Sequence, residues 1–192
     1  MRMSRIVGAV LAVVAFVVVL VVVGQGSSPA PPQASSFCPP AADNGRPPEH
    51  SQLDGRTAPR TGPAPYRIEL SGDGGTSGLR DQLTKYQPAW IAPDRKVQVV
   101  VCQYQTELTG GTNTCGAYFG SGAPVTARVI DTRYDYRVYE ADSRRLLGTF
   151  DLKGYPDCPD QIHYSQGESP TVVAKPNYSD FVEKVRRYVE ST

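Results

Sequence analysis

The sequence predicts an α+β protein with an N-terminal transmembrane helix, a disordered Pro-rich tether, and a small antiparallel sheet carrying a C-terminal helix on one face. Three observations predict this. Residues Ile6 to Val23 are apolar and uncharged throughout. Ten of the 17 prolines fall between residues 24 and 65. From Tyr66 onward, short segments of period two lead to a final segment of helical period. The expected organisation is an anchor at 1–23, a linker at 24–65 and an extracytoplasmic domain at 66–192.

The first run, IVGAVLAVVAFVVVLVVV, is 18 residues long. At a helical rise of about 1.5 Å per residue it covers about 27 Å, close to the hydrocarbon core of a bilayer. A secretory signal core is normally shorter, about 7–15 residues, and the following Gly24-Gln25-Gly26-Ser27-Ser28 makes a poor cleavage site. The run therefore reads as a retained signal anchor, with a cleaved signal peptide as the other reading. Arg2 and Arg5 precede it and no charge follows until Asp43, which keeps the N-terminus cytoplasmic and sends the rest across. The expected location is a cell membrane, crossed once, with the lipid bilayer as partner through residues 6–23.

Residues 24–65 hold few large apolar side chains, Phe37 and Leu53 among them. Such a segment buries too little surface to offset its ordering entropy and is expected as an extended spacer.

In the domain, Tyr66 to Leu70 alternates as a short strand, and Ser71 to Gly78 is a Gly-rich loop. Leu79 to Tyr86 suits a short helix stopped before Pro88. Val97 to Tyr104 is a β-branched run expected at the centre of the sheet, covered on both faces. Residues 105–124, rich in Gly and Thr, read as a long loop. Val125 to Glu140 is extended, with Tyr134, Tyr136 and Val138 on one face and Arg133, Asp135 and Arg137 on the other. Ala141 to Arg144 forms a turn, and Leu146 to Leu152 returns as its partner strand. Tyr178, Phe181, Val182, Val185, Tyr188 and Val189 follow helical spacing. Asn177 stands ready as cap, Asp180 lies in the first turn, and Arg186 and Arg187 lie in the last, as the helix dipole favours. Asn177-Tyr178-Ser179 also matches an N-glycosylation pattern, but the cap is the simpler role.

Four cysteines, Cys38, Cys102, Cys115 and Cys158, in an exported chain favour disulfides with three pairings open, a free or intermolecular Cys38 and a redox-active Cys102, Cys115 or Cys158 being the other readings. The lack of any C-x-x-C pair argues against zinc, and no cofactor is expected. The formal net charge of +1 excludes a strongly basic nucleic-acid binder.

Gly72, Gly74, Gly75 and Gly78 lie between a strand and a helix, where a phosphate cradle would lie. No Gly-Lys-Ser/Thr follows, and no strand ends in an acidic residue about 20 positions on, so the loop reads as a turn. Asp160, His163 and Ser165 are close in sequence, yet no nucleophile elbow accompanies them. An envelope hydrolase using His163 with Asp160 or a nearby serine is the alternative to a binding domain. The latter is favoured by the tyrosines, of which the domain holds 11. Tyr and Arg are frequent interface anchors, so Arg133, Tyr134, Tyr136, Arg137 and Tyr139 are the candidate binding residues, for an envelope protein, peptide or glycan.

Five segments carry a family likeness: Val99-Val100-Val101-Cys102, Thr114-Cys115-Gly116-Ala117-Tyr118, Val138-Tyr139-Glu140-Ala141-Asp142, Leu146-Leu147-Gly148 and Asp157-Cys158-Pro159. With the Val-rich anchor and the Pro/Ala/Ser tether, the chain resembles uncharacterised membrane-anchored exported proteins of actinobacteria. The resemblance implies an exported, anchored domain and brings no activity with it. Similar proteins often carry Thr-Gly at the hairpin turn where this chain has Ser143-Arg144.

Overall fold

The computed structural model describes residues 36–42, 45, 47–48, 51–72, 76–91, 96–111, 113–119, 123–165 and 169–191. The expected anchor and the first part of the expected tether lie outside them. Among the described residues no helix is long and apolar enough to cross a membrane.

The architecture is α+β. Strands β1 (Ile68–Gly72), β2 (Val99–Glu107), β5 (Thr132–Glu140), β6 (Leu146–Tyr155) and β8 (Lys175–Pro176) form one sheet in the order β1-β2-β5-β6-β8. Strands β3 (Thr114–Tyr118), β4 (Val125–Ile130) and β7 (Thr171–Val173) form a second. The helices are α1 (Ser77–Tyr86) and α2 (Tyr178–Val189).

The main sheet is mixed, not antiparallel as expected. β1 runs parallel to β2, with Ile68 opposite Val99 and Gly72 opposite Gln103. The cause is the connection: a strand that returns to the sheet through a helix comes back parallel, and α1 is that crossover. β2, β5 and β6 then follow antiparallel. In the second sheet β3 pairs antiparallel and β7 parallel with β4.

β2 lies inside the sheet, second in the order next to the central β5, and much of it is covered on both faces, because its side chains alternate between two cores. Val99 and Val101 face the helices with Ile68, Leu70, Tyr134, Tyr136 and Val138. Leu79 and Leu83 of α1 and Phe181, Val182, Val185 and Val189 of α2 close that core. Tyr136 stacks on Phe150 at 4.6 Å between ring centroids and meets Phe181 at 5.3 Å. α2 forms where its sequence places it: the Asn177 side chain accepts from the Ser179 and Asp180 amides at 2.8 and 3.3 Å. This answers two of the amide groups a helix start leaves open.

Val97, Val100, Cys102, Tyr104, Tyr139 and Ala141 face the other way, and Phe37 and Leu53 cover them. Thus, from Ser36 on, the segment expected as tether packs on the sheet. Phe37 and Leu53 are buried, and burying such side chains stabilises by about 1.5–3 kcal/mol each. A chain of polar clasps follows the same path. Tyr104 donates to the Pro39 carbonyl at 2.7 Å and Arg137 to the Ala41 carbonyl at 2.9 Å. Tyr139 donates to the Gly45 carbonyl and Arg144 to the Pro48 carbonyl. Farther on, Ala58 and Val97 exchange backbone bonds with their neighbours, and Thr57 bridges Val97 in parallel.

Two disulfides settle the pairing: Cys38–Cys102 and Cys115–Cys158. The first pins the N-terminal segment to β2. The second ties β3 to the loop after β6. Two bridges fit an oxidising, extracytoplasmic compartment.

Candidate binding groove

A groove of about 830 Å³ lies at one end of the main sheet. It arises because α1 and α2 pack on the same face and begin at the same end. Ser77, Gly78 and Leu79 open α1 on one side, and Asn177, Tyr178 and Ser179 open α2 on the other. Lys175 and Tyr155 form further parts of the wall, and Gln82, Gln105 and Tyr134 also border it.

The polar character of the wall has two sources. No side-chain bond caps α1, whereas Asn177 caps α2. The start of a helix carries partial positive charge, and Lys175 adds a full one, with Asp157 as a nearby acid. The Tyr178 hydroxyl is buried and finds no hydrogen-bond partner among the described residues. Burial, and then the neighbouring Tyr86, push its pKa above the usual phenol value, so it stays a donor. The groove therefore offers donors to a ligand rich in acceptors, with apolar wall from Leu79, Tyr155 and Val173.

The five candidate residues do not form a surface. Tyr134, Tyr136 and Tyr139 are at most 1% exposed, so their rings are core. The helices cover the face that carries Tyr134 and Tyr136 and the docked segment covers Tyr139, so the part of the sheet left exposed, at Arg133, Asp135 and Asp151, is charged and carries no aromatic stripe. Each hydroxyl is answered inside. Tyr134 donates to the Ala174 carbonyl at 2.9 Å and Tyr136 to the Gln103 side-chain oxygen at 2.9 Å. Tyr139 is the bond to Gly45 already described. Burial raises the pKa of all three, most strongly for Tyr136. Arg137 lies 4.6 Å over the Tyr104 ring and serves the docked segment. Arg133 is exposed and pairs with Asp135 at 2.9 Å and Asp151 at 3.8 Å. Of the five, only Tyr134 borders the groove.

His163 is exposed in the loop after β6, and no bond joins it to Asp160 among the described residues. All four cysteines are in bridges, so none is a reactive thiol. Among the described residues no cluster of His, Cys, Asp and Glu is grouped to hold a metal.

The groove residues Ser77, Gln82 and Lys175 escape the sequence reading. Two signals touch them: the strand–Gly loop–helix pattern and the Asn177 cap each mark a helix start. Only the shared sheet face brings those starts together.

Comparison with protein-family models, with curated proteins and with solved structures gives no match.

Proposed function

We propose that the chain is a membrane-anchored extracytoplasmic binding domain. It is held by residues 6–23, and an extended, acceptor-rich ligand such as a peptide or glycan sits in the groove between the two helix starts. The observation that carries this reading is the groove itself. It combines volume, polar groups and an apolar wall, and it is bordered by Tyr178, whose buried hydroxyl finds no partner among the described residues. Small-ligand sites are typically concave with a few convergent polar groups. The disulfides support export, and the uncharged run of residues 6–23 supports the anchor. An envelope hydrolase has less support, since His163 is exposed and no hydrogen bond joins it to Asp160 among the described residues.

The test places a photoreactive side chain at Gln82, on the groove, and in a second variant at Asp142, in the turn after β5. Crosslinking is carried out in the intact envelope. A discrete adduct from Gln82 and none from Asp142 is the expected result. Equal labelling at both, or none at Gln82, contradicts a ligand in the groove.

A further inference from the structure

The row of side chains that β2 sends to the helix side changes character as it runs. Val99 and Val101 are core, Gln103 is buried and accepts from Tyr136, and Gln105 borders the groove. Around Gln105 stand Ser77 at the start of α1, and Asn177 and Ser179 at the start of α2. The Asn177 oxygen accepts from the Ser179 and Asp180 amides, which leaves the amino group of that side chain for a ligand. Among the described residues the side chains of Ser77, Gln105 and Ser179 have no hydrogen-bond partner. The groove is thus set with amides and hydroxyls, groups that both donate and accept. The two charges on its wall, Lys175 and Asp157, are of opposite sign.

Tyr155 adds a second kind of contact. It borders the groove and is 53% exposed, and no other ring or cation lies on it among the described residues. A sugar ring matches both kinds: its hydroxyls suit amides and hydroxyls, and its C–H face suits an open tyrosine ring. A strongly charged ligand finds no matching excess of charge. A peptide added as a strand needs an open sheet edge with free amides. The edge at the groove is β8, which is two residues long, and Pro176 has no amide to give.

We propose that the ligand of the groove is a neutral saccharide chain, with one sugar ring stacked on Tyr155 and its hydroxyls bonded by Gln105, Asn177 and Ser179. This rests on the groove reading above and narrows it from peptide or glycan to one class.

The test uses the full chain in its own envelope, with the photoreactive side chain at Gln82, which borders the groove and takes no part in the contacts just named. After crosslinking, the labelled tryptic peptide 81–85 is fragmented in a mass spectrometer. The expected adduct carries mass increments of neutral sugars and releases sugar oxonium ions. In the same background Tyr155→Ala should lower the adduct about tenfold, and Tyr155→Phe, which keeps the ring, should retain it. Asn177→Asp keeps a good helix cap and removes the amino group, so it should lower the adduct with α2 intact. An adduct of amino acids or of anionic sugars overturns the neutral saccharide and leaves a ligand in the groove. No adduct at Gln82 overturns both readings. A sugar adduct that neither Tyr155→Ala nor Asn177→Asp diminishes overturns the proposed contacts.

Discussion

The guanidinium of Arg144 meets the carboxylate of Asp54 at 2.6 Å, across 90 residues of sequence. The same side chain donates to the Pro48 carbonyl and lies 5.9 Å over the Phe37 ring. It does so from a left-handed backbone, φ 59°, in the turn between β5 and β6. Glycine would take this left-handed backbone without strain. The chain accepts a strained residue there because its side chain clasps the docked N-terminal segment.

That trade can be separated by substitution. Arg144→Ala keeps the strained backbone and loses the clasp, so it is the most disruptive change. Arg144→Gly loses the clasp but relaxes the backbone, and should be more stable than Arg144→Ala by about 1 kcal/mol. Asp54→Asn removes only the part-exposed ion pair, at a cost of about 0.2–1 kcal/mol. Denaturant midpoints of the three variants check the order.

The two disulfides should act differently despite similar loops of 64 and 43 residues. Chain entropy assigns each about 4 kcal/mol. Cys38→Ser with Cys102→Ser also releases the segment that carries Phe37, so limited proteolysis should cut between residues 36 and 58 in that variant. Cys115→Ser with Cys158→Ser should leave that region protected. Cleavage in both or in neither would break the assignment of the first bridge to docking.

Glycine positions distinguish tight from open packing. A Cβ at Gly154 would stand 2.6 Å from the Ala174 carbonyl oxygen, which is backbone and cannot step aside. Gly154→Ala should destabilise by about 1–3 kcal/mol. At Gly78, early in α1, nothing lies within 4 Å of a Cβ. Gly78→Ala should be neutral or stabilise by up to about 1 kcal/mol, through helix propensity. Thermal unfolding of both variants checks the contrast.

The buried tyrosines set an alkaline limit. Burial raises the pKa of Tyr134, Tyr136 and Tyr139 above the ordinary 10.0. Above that pH the unfolded chain has released protons that the folded chain still holds, so the folded state loses ground as pH rises. Stability is therefore full below about pH 10 and falls beyond it. Tyr136→Phe should flatten the fall, at a cost of about 1–3 kcal/mol for leaving the Gln103 side chain without its donor. Urea midpoints measured from about pH 8 to pH 11 check both.

The legible parts of the fold are those whose pattern is local. α2 declares itself through the Asn177 cap and the Phe181, Val185 and Val189 stripe, and the structure buries that stripe. The β2 core face and the hairpin of β5 with β6 follow from alternation in the same way. The parallel pairing of β1 was also within reach, since a strand, a helix and a strand in succession imply a crossover. β3 lies hidden in a Gly- and Thr-rich stretch, and β7 is a three-residue strand, too short to show a period. Phe37 and Leu53 are isolated apolar residues among prolines, and only the cysteine beside Phe37 hints that it docks. The tyrosines were misleading for a simple reason. Alternation places Tyr136 and Tyr139 on opposite faces, and one face reads as solvated unless something remote covers it. That cover, residues 36–58, comes from a segment whose composition argues for disorder.

The structure shows a domain with both bridges formed and its N-terminal segment stapled to β2, and we propose that it is held at a membrane. Peptide mapping by mass spectrometry, without reduction, on the intact chain from the membrane fraction after thiol blocking, tests it most directly. The expected result is linked peptides joining Cys38 to Cys102 and Cys115 to Cys158, with no blocked cysteine. Recovery of the chain from the soluble cytoplasmic fraction with its thiols blocked, or a bridge from Cys38 to either other cysteine, would contradict it.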